Sequence, residues 1–93
     1  MTDDIGSHEP VLVPDLGSGE LPVRMGCWLV DVGDEISEGQ RLAELILPGT
    51  VFEIASPADG FLVGIERANG AAVECGTVLA MLAVDRKNPD ESD

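Results

Sequence analysis

The chain has 93 residues, 44% of them apolar, and a formal net charge of −13 at pH 7. A chain of this size buries roughly 60% of its unfolded surface, enough for one small domain with modest stability. The charge excludes nucleic acid and anionic membrane surfaces as partners, because both demand Lys and Arg in numbers, and only 5 basic residues are present. Trp28, Phe52 and Phe61 are the whole aromatic complement, so the core must be built of Val, Leu, Ile and Ala, and 11 glycines mark frequent turns. That composition suits a small all-β domain. No run approaches the ~18 apolar residues of a membrane span, and the first residues show no leader pattern. Cys27 and Cys75 stand far apart without a CxxC, which fits a reducing compartment and predicts a cytoplasmic protein.

In chain order, residues 1–8 form a polar segment and are expected to be a disordered tail. Residues 9–14 read as a short strand bounded by Pro10 and Pro14, hence an edge or end strand. The Gly-rich stretch that follows, 15–20, lacks the GxxxxGK[ST] pattern of a phosphate loop. Residues 21–32 are the longest extended candidate, with Gly26 as a bulge. Short strands are then predicted at 35–37, 41–47, 51–55, 61–65, 72–73 and 78–84, separated by turns at 31–34, 38–40, 56–60, 67–70 and 74–76. The sharpest reversal is Leu47-Pro48-Gly49-Thr50. Pro presets φ for the second turn position and Gly supplies positive φ at the third, which makes a type II turn. Eight short strands punctuated by glycine predict an all-β barrel or sandwich. The domain is expected to span residues 9–85, with a charged tail over 86–93 that contains Lys87, the only lysine.

Residues 33–45 repeat at 70–82 with a constant offset of 37, matching Gly33 with Gly70, Gly39 with Gly76, Leu42 with Leu79, Ala43 with Ala80 and Leu45 with Leu82. One supersecondary unit used twice predicts two half-sheets facing each other in a flattened eight-stranded barrel or sandwich with quasi-twofold symmetry. The central hairpin then lies at one end and both chain termini at the other.

Chemistry-bearing constellations are scarce. His8 has no second His, Cys or spaced carboxylate with which to form a metal site, and no Ser/His/Asp or Cys/His arrangement exists. Cys75 sits in a turn beside Glu74, whose charge disfavours a thiolate. Cys27 and Trp28 are expected in or near the core. A small catalytic protein using Cys75 or paired carboxylates would require a pocket.

The order and spacing of Val13-Pro14-Asp15-Leu16-Gly17, Val32-Gly33-Asp34, Glu38-Gly39-Gln40, Phe52-Glu53-Ile54, Ser56-Pro57, Gly60, Gly70 and Gly76-Thr77-Val78-Leu79 resemble the lipoyl/biotinyl attachment domains of dihydrolipoyl acyltransferases and biotin carboxyl carriers. The resemblance covers residues 11–84. It implies two four-stranded sheets with a cofactor-bearing lysine at a hairpin tip. In lipoyl domains that tip reads Glu-x-Asp-Lys-Ala, and counting back from Ser56-Pro57 puts Gly49 in the lysine's place. Pro48 then replaces the acid, Thr50 the alanine and Ile46 the upstream glutamate. The biotinyl version, with Met on both sides of the lysine, is absent too. The resemblance also implies that the loop Leu16-Gly17-Ser18-Gly19-Glu20-Leu21 lies beside the hairpin and helps partner enzymes recognise the domain.

The expectation is therefore a degenerate lipoyl-like domain, not itself an enzyme, holding neither lipoate nor biotin and binding no metal. It would serve as a protein-interaction or structural module tied to a 2-oxo acid dehydrogenase or carboxylase assembly. The alternative is a lipoyl or biotin carrier whose attachment point is relocated, to Lys87 for example, or lost.

Overall fold

The structure is a computed structural model that describes residues 7–17, 19 and 21–84. Eight strands follow in order: β1 (Ser7–Leu12), β2 (Val23–Trp28), β3 (Glu35–Ile36), β4 (Arg41–Leu47), β5 (Thr50–Ala55), β6 (Gly60–Ile65), β7 (Ala72–Val73) and β8 (Val78–Val84). They form two antiparallel four-stranded sheets with strand orders β1-β8-β6-β3 and β5-β4-β2-β7. The architecture is the all-β sandwich that the strand spacing predicts. No helix of the described residues is long and apolar enough to cross a membrane.

The inner faces of the two sheets are filled by aliphatic side chains. Leu42 and Leu45 of β4 are fully buried, and so are their repeat partners Leu79 and Leu82 of β8. Met25, Ile36 and Leu62 complete the dry centre. Alternation sets the faces of the paired strands: Leu45 of β4 and Phe52 of β5 share the core-facing side, while Ile46 and Val51 share the other, and the bulge between Arg41 and Ala43 lets Leu42 face inward too. Trp28 packs against the core edge and donates its indole N–H to the Arg67 carbonyl at 2.8 Å, tying the end of β2 to the turn before β7. Cys27 departs from the expectation. It lies half-buried beside Glu44 and outside the core cluster, because its strand partner is Glu44 rather than an inward-facing leucine.

The repeat extends into the backbone hydrogen bonds. Gly33 N donates to Leu62 O, and Gly70 N donates to Met25 O. Leu29 N donates to Leu42 O, and Glu66 N to Leu79 O. Each bond in a pair maps onto the other at the same offset of 37, from Gly33 to Gly70. The glycines that open and close the repeated turns, Gly33 (φ 100°), Gly39 (87°), Gly70 (87°) and Gly76 (87°), all hold positive φ. Gln40 Oε1 and Thr77 Oγ1 close those turns by accepting from Ser37 N and Glu74 N. Bulges fall at matching places in β2, between Met25 and Cys27, and in β6, between Leu62 and Gly64. The bulge expected at Gly26 is one of these.

Some boundaries differ from the sequence reading. Ser7 and His8 were expected in the tail, yet they pair with Val84 and Ala83 of β8. Strand addition needs only backbone groups, so polar side chains did not betray it. Of the tail, residues 1–6 lie outside the described residues, as do 85–93, Ser18 and Glu20. The extended stretch at 21–32 contracts to β2, because after Trp28 the chain turns away toward β3 through Leu29 and Val30.

Candidate functional site

The β4–β5 hairpin closes in two residues. Leu47 pairs with Thr50, and Gly49 has φ 80°, the value that the third position of a type II turn demands. Pro48, Gly49 and Thr50 are all exposed, and a Cβ built on Gly49 would meet nothing within 4 Å. The tip is an open projection on which Gly49 places no side chain. Attachment of lipoate or biotin through an amide needs a primary amine, and Leu47, Pro48, Gly49 and Thr50 offer none. The residues at the tip do not fit the group.

The loop between β1 and β2 lies at the same end of the molecule. Arg24, at the start of β2, pairs with Ile46 beside the tip, and Val23 pairs with Val73 of β7. Tip, loop and the turn after β7 therefore stand in a row along one end of the sheet. Leu16 packs against the core, Gly17 N donates to Asp15 Oδ1 at 2.9 Å, and Gly17 and Gly19 have φ 69° and 65°. Leu21 is 54% exposed, and Ser18 and Glu20 of the same loop lie outside the described residues.

A cleft of about 200 Å³ opens between this loop and the turn after β7. Its apolar wall includes Val13, Leu16, Val23 and Val73, and its lip carries Asp15, Glu74 and Cys75. The cleft has a structural cause. Residues 14–22 span the gap between strands that residues 57–59 span in the other half, six residues more. In that shorter connection Ser56 Oγ donates to Ala58 O at 2.7 Å, and Asp59 Oδ1 accepts from Glu38 N at 2.7 Å. Cys75 occupies the place of Glu38, and Pro22 that of Asp59, so no carboxylate closes the cleft there.

Neither cysteine is in a disulfide, and Cys75 is exposed. Cys27 Sγ donates to Glu44 Oε1 at 3.6 Å. Partial burial first, then the Glu44 charge and this hydrogen bond, push the Cys27 thiol above its ordinary value, which keeps it in the unreactive form. The cleft wall holds no His, Lys or Arg to activate Cys75. Among the described residues no group of three His, Cys, Asp or Glu is placed to hold a metal ion. Lys87 lies beyond the described residues, after Val84. Val84 pairs with Gly60, which the 57–59 connection places at the end of the sandwich opposite the Pro48-Gly49 tip.

Two four-stranded sheets with matched bulges and an exposed two-residue hairpin define a domain of the biotinyl/lipoyl class. The family model described as "biotin-requiring enzyme" matches residues 9–82, and the chain belongs to this biotin/lipoyl family. It is 33% identical over 81 residues to the lipoamide acyltransferase component of the branched-chain alpha-keto acid dehydrogenase complex of Pseudomonas aeruginosa, covering 87% of this chain and 19% of that protein. It is 34% identical over 79 residues to the dihydrolipoyllysine-residue acetyltransferase component of the pyruvate dehydrogenase complex of Mycobacterium bovis, covering 85% of this chain and 14% of that protein. A mitochondrial counterpart from Arabidopsis thaliana is 26% identical over 85 residues. The chain thus spans under a fifth of the length of the first two relatives.

Proposed function

We propose that this chain is a lipoyl-type domain that has lost its covalent cofactor and acts as a non-catalytic protein-interaction or structural module of a 2-oxo acid dehydrogenase or carboxylase assembly. The observation that carries this reading is Gly49 at the apex of the hairpin, with positive φ and an open surface around it. The position that a carrier would use for its swinging lysine is here given over to turn geometry, and Pro48 reinforces that geometry. The family membership, and relatives that are components of 2-oxo acid dehydrogenase complexes, support the assembly. The cleft beside the tip supports an interaction role, because the loop that builds it survives although the lysine does not.

Intact-mass measurement of the protein purified from its native host tests the reading. The expected result is the mass of the bare polypeptide. A mass raised by one lipoyl or biotinyl group overturns it, and peptide mapping of that group to Lys87 would establish the relocated carrier instead.

A further inference from the structure

The two outer strands related by the internal repeat, β1 and β5, are built differently at their free edges. Ser7 of β1 corresponds to Thr50 of β5, and Leu12 to Ala55. Hydrogen-bond parity follows from both ends of β5. Ser56 N donates to Gln40 O and Ser56 O accepts from Gly39 N, so Ser56 faces inward; Thr50, paired with Leu47 across the two-residue turn, does the same. By alternation Val51, Glu53 and Ala55 turn their N–H and C=O groups to the open edge. On β1, Val13 N donates to Thr77 O and its carbonyl accepts from Gly76 N, so His8, Pro10 and Leu12 face outward.

The β1 edge carries two devices that block strand addition. Pro10 removes the central outward N–H, and Glu9 puts a charge on the core-facing side, opposite Leu82. The corresponding residues of β5 are Glu53, which keeps its N–H, and Phe52, which is 40% exposed. One edge is protected, the other pairing-competent.

We propose that the free edge of β5 accepts an extended segment of another protein, one alternating basic with apolar side chains, as a fifth strand of the sheet. Charge selects this occupant. Glu44 and Glu53 lie directly opposite each other across β4 and β5, an unfavourable like-charge pair. Among the described residues Arg41 offsets it, 3.0 Å from Glu53 and itself well exposed. A Lys or Arg on the outer face of an added strand sits beside Glu53 and completes the compensation, while the apolar alternates on the inner face cover Phe52. A second copy of this chain suits the edge poorly, since it doubles a net charge of −13. The proposal stands whether or not the hairpin tip is modified, because it uses neither Gly49 nor the cleft.

The test is amide hydrogen exchange on the isotope-labelled protein with two synthetic peptides of about six residues, a typical strand length. One alternates Lys with Val and the other Glu with Val. The expected result is exchange slowed by about tenfold or more at Val51, Glu53 and Ala55 with the Lys-Val peptide, weakening as salt rises, and no change with the Glu-Val peptide. Glu53→Pro copies Pro10 and removes the edge N–H; Phe52→Glu copies Glu9. Both should abolish the protection, and Glu53→Gln should retain it with a smaller salt dependence. If Glu53→Pro does not fold, Phe52→Glu carries the comparison. The proposal fails if neither peptide protects β5, if both protect it equally, or if protection falls at Leu21 and Cys75. Protection that grows with protein concentration and no peptide also overturns it, in favour of self-pairing.

Discussion

Gly49 and Gly60 show two different reasons for a glycine, only one of which is visible in the sequence. Gly49 has φ 80° and empty space where a Cβ would go. Its substitution therefore costs backbone strain alone, and Gly49→Ala should lose about 1 kcal/mol in denaturant unfolding. Gly60 has ordinary φ, but a Cβ there would run into the Ala83 carbonyl of the neighbouring strand. Backbone cannot step aside as a flexible side chain can, so Gly60→Ala should lose more, about 2–3 kcal/mol. Equal losses for the two variants would refute this division. Pro48 beside Gly49 announces the turn within two residues, so the first constraint was legible. The second is imposed by a carbonyl in another strand of the sheet and leaves no local mark.

The same contrast governs whole elements. The 33–45 and 70–82 segments were recognisable as copies because buried leucines and positive-φ glycines tolerate few replacements. β1 and β5 are structural copies too, but Ser7–Leu12 and Thr50–Ala55 share no identical residue at matched positions. An edge strand needs only an extended backbone on one side, so its side chains were free to diverge, into a blocked edge and an open one. The cleft was equally hidden, since it joins the β1–β2 loop to a turn some 60 residues later in the chain. It exists because residues 14–22 replace the short connection that 57–59 makes in the other half. Replacing 14–22 with Pro-Ala-Asp should leave the fold intact, because loop-closure entropy changes only slowly with length. The new aspartate would then accept from Cys75 N as Asp59 accepts from Glu38 N. Slowed exchange of the Cys75 amide, with cooperative melting retained, is the expected outcome; loss of cooperative melting would show that Leu16 is indispensable to the core.

At the scale of the molecule, the two halves depend on one another, since each supplies half of a single aliphatic core with no aromatic at its centre. Cys27, Cys75 and the scattered carboxylates lie outside that core. Val84 stands opposite Ser7 in the same register that sets Leu47 opposite Thr50. The place where the described chain begins and ends is thus a hairpin left unjoined, the counterpart of the one that is closed by Pro48 and Gly49. This symmetry predicts that the order in which the strands are threaded can be exchanged. A circular permutant that links Val84 to Ser7 through Pro-Gly and opens between Pro48 and Gly49 should fold to the same sandwich, with unchanged far-ultraviolet circular dichroism and a single unfolding transition. Failure to fold would mean that the intact central turn nucleates the structure. Success would make Ser7 and Thr50 two equivalent starting points on a cyclic pattern.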